Sequence, residues 1–223
     1  VTDANGNATV DLLHGQDANQ IPFLHHQGSG RELPQATSVA VASDGDGNGL
    51  DEIVFVYQSG IETRVRRYGD STQGFAESDV QIAANGNVTN VAAVSTDLDL
   101  DGRDDLVIGL TGGGIGRVTM WRFDGTAFTQ IGTEIAIQPD FAPSNLTLQL
   151  AAGNIDQDAE PEIAIAMQEA VGAAGSARCV VLDDRKHAFA SLRNEQFVER
   201  DENQTLRVGL TCSIAMGDID GDG

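Results

Sequence analysis

The sequence predicts an all-β protein built from repeated four-stranded antiparallel sheets, and three observations predict it. An acid-rich loop recurs, starting at positions 3, 44, 97, 154 and 218. Each complete loop is followed by an apolar run whose period-two or β-branched pattern reads as a strand. Glycine-rich turns separate the runs, and no convincing amphipathic helix interrupts them. Four short strands per unit of roughly 40–65 residues is the grammar of a β-propeller blade. One blade cannot bury both faces, so blades must stack about an axis. The chain carries about four blades, in repeat units 3–43, 44–96, 97–153 and 154–217 with a truncated fifth loop at 218–223. We therefore expect residues 1–223 to form a single domain that is a segment of a larger propeller. The alternative is that the strand Cys212–Met216 docks beside the first unit and closes a small ring.

The elements follow in order. An inner strand of small and β-branched residues precedes each loop: Ser38–Ala42, Val91–Val94, Leu148–Ala152 and Ser213–Met216. A second strand follows: Asp11–His14, Glu52–Tyr57, Asp105–Leu110 and Glu162–Met167. Gly-containing turns then lead to alternating third strands, Thr63–Tyr68, Arg117–Phe123 and Ala177–Leu182. Fourth strands close the units near Val80–Ile82 and Glu134–Ile137. Asp184–Arg200 reads as a long loop plus an outer strand.

The loop at 97–105 shows the chemistry best. Acid stands at its positions one, three, five and nine, with Gly102 at position six. Alternate residues on a turning backbone aim several oxygens at one point, and a hard cation such as Ca²⁺ wants six to eight oxygen ligands. An EF-hand loop instead ends in a glutamate at position twelve between helices. The loop at 44–52 matches position by position, with Asn48 at position five. The loop at 154–162 has Asn154 at position one and Ala159 at position six. Turn-forming chemistry explains one such loop, but not acid or its amide recurring at the same four positions. The net charge of −21 excludes nucleic acid and anionic membrane surfaces as partners, since both would be repelled. Just over half of the acidic residues lie in the five loops, where bound divalent ions would offset them.

These residues resemble the FG-GAP/VCBS repeat family, the propeller repeats of integrin α chains and of many secreted bacterial proteins. The carrying motif is D-x-D-x-D-G-x-x-D before Leu/Ile-Val, as in Val39–Val54 and Val91–Ile108. The Phe-Gly and Gly-Ala-Pro elements are poorly kept, and Phe141-Ala142-Pro143 is a remnant, so the looser VCBS type fits better. The resemblance implies a Ca²⁺ ion in each hairpin loop between the first and second strands of a blade, about three to five ions in all. The implied ligands at 44–52 are Asp44, Asp46, Asn48, the Leu50 carbonyl and Glu52. At 97–105 they are Asp97, Asp99, Asp101, the Arg103 carbonyl and Asp105. At 154–162 they are Asn154, Asp156, Asp158, the Glu160 carbonyl and Glu162, in a site weakened by Ala159. The first loop offers Asp3, Asn5, Asn7 and Asp11, and the last Asp218, Asp220 and Asp222.

Asn-x-Thr sequons at Asn87, Asn145 and Asn203 fall just before inner strands and suit N-glycosylation of a secreted protein, while a fourth at Asn7 collides with the first loop. Cys179 and Cys212 sit on strands with apolar neighbours, as two buried thiols or one disulfide. His14, His25, His26 and His187 have no metal spacing, and no P-loop, zinc signature or Ser/His/Asp order appears. Trp121 and Tyr68 read as blade-packing residues ahead of sugar-stacking ones. The expectation is an extracellular, calcium-binding propeller acting as an adhesion or binding scaffold, and not an enzyme. Its partner would be a protein or a glycan. The alternatives are a lectin-like propeller, a non-catalytic module of a larger secreted enzyme, and a structural subunit of a surface assembly.

Overall fold

The computed structural model describes residues 38–70, 73, 76–83, 88–138, 145–155, 158–171, 174–184, 189, 191–197 and 213–216, together with short strands at 8–10, 13–14, 24–25 and 31–33. The described residues form β structure with no α-helix. β1 (Ala8–Val10) pairs with β4 (Arg31–Leu33), and β2 (Leu13–His14) pairs with β3 (Leu24–His25), both antiparallel. Three four-stranded antiparallel meanders follow. The first runs β5 (Ser38–Ser43), β6 (Glu52–Ser59), β7 (Glu62–Tyr68), β8 (Glu77–Ala83). The second runs β9 (Val88–Thr96), β10 (Asp105–Gly112), β11 (Ile115–Phe123), β12 (Phe128–Ile137). The third runs β13 (Asn145–Gly153), β14 (Glu162–Val171), β15 (Ala174–Leu182), β16 (Ser191–Phe197). The first, second, third and fourth strands expected for these three units all appear, with the outer strand of 184–200 confined to β16.

Alternation explains the layering. β6 buries every second residue through its first half, whereas β10 is buried along its whole length. The middle sheet is covered on both faces and its second strand reads as a nearly continuous apolar run. One face packs Leu106, Ile108 and Trp121 against Val54, Val56 and Val65 of the first sheet. The other packs Val107, Val118 and Met120 against Leu148, Ile163, Ile165 and Met167 of the third. Exposed β12 marks the outer rim of the middle sheet. The first strands lie side by side, with β9 against both β5 and β13. Gly109 permits the close approach of the second and third sheets, because a Cβ there would overlap the Leu148 side chain. Polar bonds fix the same seam. Asn90 Oδ1 accepts from Leu148 N at 2.9 Å, and Thr111 Oγ1 donates to Leu146 O at 2.9 Å.

The stretch 213–216, expected as an inner strand, is not in a strand. Met216 packs beside Gly153 at the end of β13, where the missing side chain leaves room. It therefore lies against the third sheet.

Candidate metal centres

The three acidic loops each join the first and second strands of a sheet: β5 to β6, β9 to β10, and β13 to β14. The first two share one backbone frame. Position four is left-handed in both, at Gly47 (φ 75°) and Leu100 (φ 58°), and position six is Gly49 and Gly102, each at φ 84°. Glycine takes this conformation without strain, whereas Leu100 takes it at a cost of about 1 kcal/mol or more. The carboxylate at position one then collects the turn. Asp44 accepts from Asn48 N at 3.0 Å and Gly49 N at 2.8 Å. Asp97 accepts from Asp101 N at 3.1 Å and Gly102 N at 2.7 Å. Position five closes it, since Asn48 Oδ1 accepts from Leu50 N at 2.8 Å and Asp101 Oδ1 from Arg103 N at 3.0 Å. The third loop repeats that last bond, from Glu160 N to Asp158 Oδ1 at 3.0 Å.

At each loop three carboxylates converge, with one oxygen of each within 4.8 Å of the others. The trios are Asp44, Asp46 and Glu52; Asp97, Asp99 and Asp101; and Asp158, Glu162 and Asp184. These are oxygen donors suited to a hard cation. Glu52 and Glu162 at position nine are fully buried and are held alike. Glu52 Oε2 accepts from Gly45 N at 3.0 Å, and Glu162 Oε2 from Ile155 N at 2.7 Å. Glu52 Oε1 has no aligned hydrogen bond and meets Arg67 Nη2 at 2.7 Å off the bonding direction. Such an oxygen is suited to a metal ion, which needs no donor direction.

The sheets balance this charge differently. In the first, Arg67 of β7 reaches Glu52 and, at 3.4 Å, Asp46. In the second, Arg122 of β11 grips Asp105 through Nε at 3.0 Å and Nη2 at 3.1 Å, and touches Asp99 at 2.7 Å and Asp101 at 3.5 Å. Asp105 stands with Arg122 and outside the converging trio. Burial pushes the Glu52 and Asp105 carboxyls up, the arginines pull them back, and neighbouring acids add to the rise. A buried carboxylate with a raised pKa costs stability near neutral pH, and a bound cation would relieve that cost.

In the third sheet an acidic pair follows the third strand. The β14–β15 register ends with Ile163 opposite Leu182, and Asp183 and Asp184 follow directly. Asp183 and Asp184 are both buried. Sequence reasoning missed Asp184. The available signal was an Asp pair ending a third strand, which antiparallel pairing carries back to position nine. The same reasoning missed Asp70, whose Oδ2 accepts from Asn48 Nδ2 at 2.6 Å, and Gln73, which donates to Asp46. Asn154 donates to the Asp158 carbonyl.

Asp3, Asn5, Asn7, Asp11, Asp156, Asp218, Asp220 and Asp222 lie outside the described residues, as do Asn87, Asn203 and Cys212. Asn145 opens β13, and Cys179 lies in β15 opposite Ala166 and Glu195. The chain matches no protein-family model, and no curated protein is significantly similar to it.

Proposed function

We propose that the protein is a Ca²⁺-stabilised β-propeller segment of the FG-GAP/VCBS kind, serving outside the cell as an adhesion or binding scaffold without catalytic activity. One observation carries the metal reading. Two loops 53 residues apart hold the same left-handed positions and the same three backbone-to-side-chain bonds, and both converge carboxylates on one point. Carboxylates held that close repel each other, and a divalent cation would turn the repulsion into binding and so into folding energy. Asp44, Asp46 and Glu52 would hold the first ion. Asp97, Asp99 and Asp101 would hold the second, and Asp158, Glu162 and Asp184 the third. Calcium suits such a set better than magnesium, which demands a compact octahedron and keeps its waters. The side-by-side first strands support blades stacked about an axis. The acidic, repeat-built surface suits a scaffold whose partner is a protein or a glycan.

Thermal unfolding in EGTA against millimolar CaCl₂ and MgCl₂, with calorimetric titration of the stripped protein, tests the reading. Calcium at a hundredfold its Kd would add about 2.7 kcal/mol per site, with a smaller response to magnesium. An unchanged midpoint and no binding heat would overturn it.

A further inference from the structure

We infer that Asp104 joins the first two acidic loops into one cation-binding unit, in which filling either loop raises the affinity of the other. The inference rests on the metal reading above and adds a coupling between sites that would otherwise be independent.

Asp104 is position eight of the second loop and belongs to neither converging trio. It makes a reciprocal pair of bonds with position one of the first loop. Asp44 N donates to Asp104 Oδ2 at 3.1 Å, and Asp104 N donates to Asp44 O at 3.0 Å. Asp44 is also the residue whose carboxylate collects the first loop's turn, so its backbone sets where that loop's oxygens stand. Ser95, at the end of β9, reinforces the joint, donating to Ser43 Oγ at 2.7 Å and lying 3.3 Å from Asp104 Oδ2. The loops also pack closely. A Cβ on Gly47 would lie 3.0 Å from Arg103 Cγ and 3.1 Å from the Gly102 carbonyl. A second link runs beside the first, where the Arg67 guanidinium sits 4.3 Å from the centre of the Phe123 ring, next to Arg122 in β11.

Moving Asp44 therefore moves Asp104, and with it the backbone that carries Asp105. An ion that orders one loop leaves less to be ordered in the other, which gives positive coupling. Charge works the opposite way, because neutralising one loop removes part of its pull on the next cation. Salt weakens that effect at separations beyond about 8 Å, whereas the hydrogen-bonded joint does not depend on it. The third loop has Pro161 at position eight. Proline has no N–H to donate, so this loop cannot make the corresponding bond and stands outside the unit.

The single tryptophan, Trp121, packs at the seam between the first two sheets, and the part of its calcium response that Asp97→Asn removes belongs to the second loop. Its fluorescence is titrated with CaCl₂ in the wild type and in Asp46→Asn, which impairs only the first loop's trio. We expect the second loop's midpoint to move to about fivefold higher calcium or more in Asp46→Asn. In Asp104→Ala, which loses the side-chain acceptor for Asp44 N, the same substitution should move it less than twofold, whereas Asp104→Asn, which keeps an acceptor oxygen, should retain the shift. If Asp104→Ala does not fold, the wild type against Asp46→Asn decides alone. An unmoved midpoint, or one at lower calcium, overturns the coupling and leaves the metal reading standing. No calcium response by fluorescence or calorimetry overturns both.

Discussion

The first and third acidic loops have the same place in the fold, and different residues gather around position nine. In the first, Glu52 at position nine is buried beside an internal cation, Arg67, which is itself nearly buried. In the third, Glu162 at position nine is equally buried, and the buried Asp184 converges on it. The second loop resembles the first, with Arg122 more exposed and spread over three carboxylates. A repeated motif thus fixes loop shape without fixing electrostatics. What closes the charge is a residue at the end of the third strand, outside the motif. The first two loops hold an arginine against their acids, and at the third a further carboxylate, Asp184, joins the cluster.

The contrast can be broken most forcefully at Arg67. Arg67→Ala leaves Glu52 buried without its cation and should cost about 3–5 kcal/mol in EGTA. Saturating calcium should recover much of that loss, and denaturant unfolding with and without the ion measures both. Equal losses in the two conditions would mean that no cation substitutes for the guanidinium.

A smaller effect of the opposite sense is expected in the third loop. Asp184→Asn removes one of three crowded carboxylates, so metal-free stability should rise while calcium affinity falls about tenfold, equivalent to about 1.4 kcal/mol. Calorimetry on the stripped variant checks this, and unchanged affinity would remove Asp184 from the ligand set. In the second loop Arg122→Gln should cost about 1–3 kcal/mol without metal, since Asp105 is fully buried while Arg122 itself is partly solvated and Gln keeps a donor. The same melts in EGTA show whether the second loop belongs with the first or the third.

The smallest effect lies away from the loops and serves as a control. Asp79 of β8 accepts from Tyr57 Oη at 2.6 Å, Arg64 Nε at 2.8 Å and Arg66 Nη2 at 2.6 Å. Burial pushes its carboxyl up, but these donors outweigh burial and hold it below the usual aspartate range. A depressed folded-state pKa gives stability that is present above the unfolded value of 3.8 and lost as pH falls through the folded one. Asp79→Asn should therefore flatten the acid limb below about pH 4 by a fraction of a kcal/mol, equally with and without calcium. A calcium-dependent change there would link this acid–base knot to the loops.

Much of this was legible in the chain. Gly49, Gly102 and the acids around them announced hairpin loops because turn chemistry acts over a few residues. The alternation in Thr63–Tyr68 and Arg117–Phe123 announced third strands for the same local reason. Arg67 and Arg122 lay on those strands in plain view, yet nothing local distinguished them from other alternating polar residues such as Arg64. Their partners are set by antiparallel register and by which face meets the loop. Asp184 was hidden similarly, at the end of a run whose interest seemed to be its apolar core. The Asp104–Asp44 joint was further out of reach, since it crosses between sheets.

By itself the sequence determined the strand order, the loop conformations and the placing of acid at the hairpin tips, because propensity, turn geometry and period-two patterning are properties of neighbours along the chain. Only the tertiary structure decided which charge answers each buried glutamate and which two loops lean on one another. Those choices depend on strand register and on sheet-to-sheet packing, which bring together residues that the chain keeps far apart.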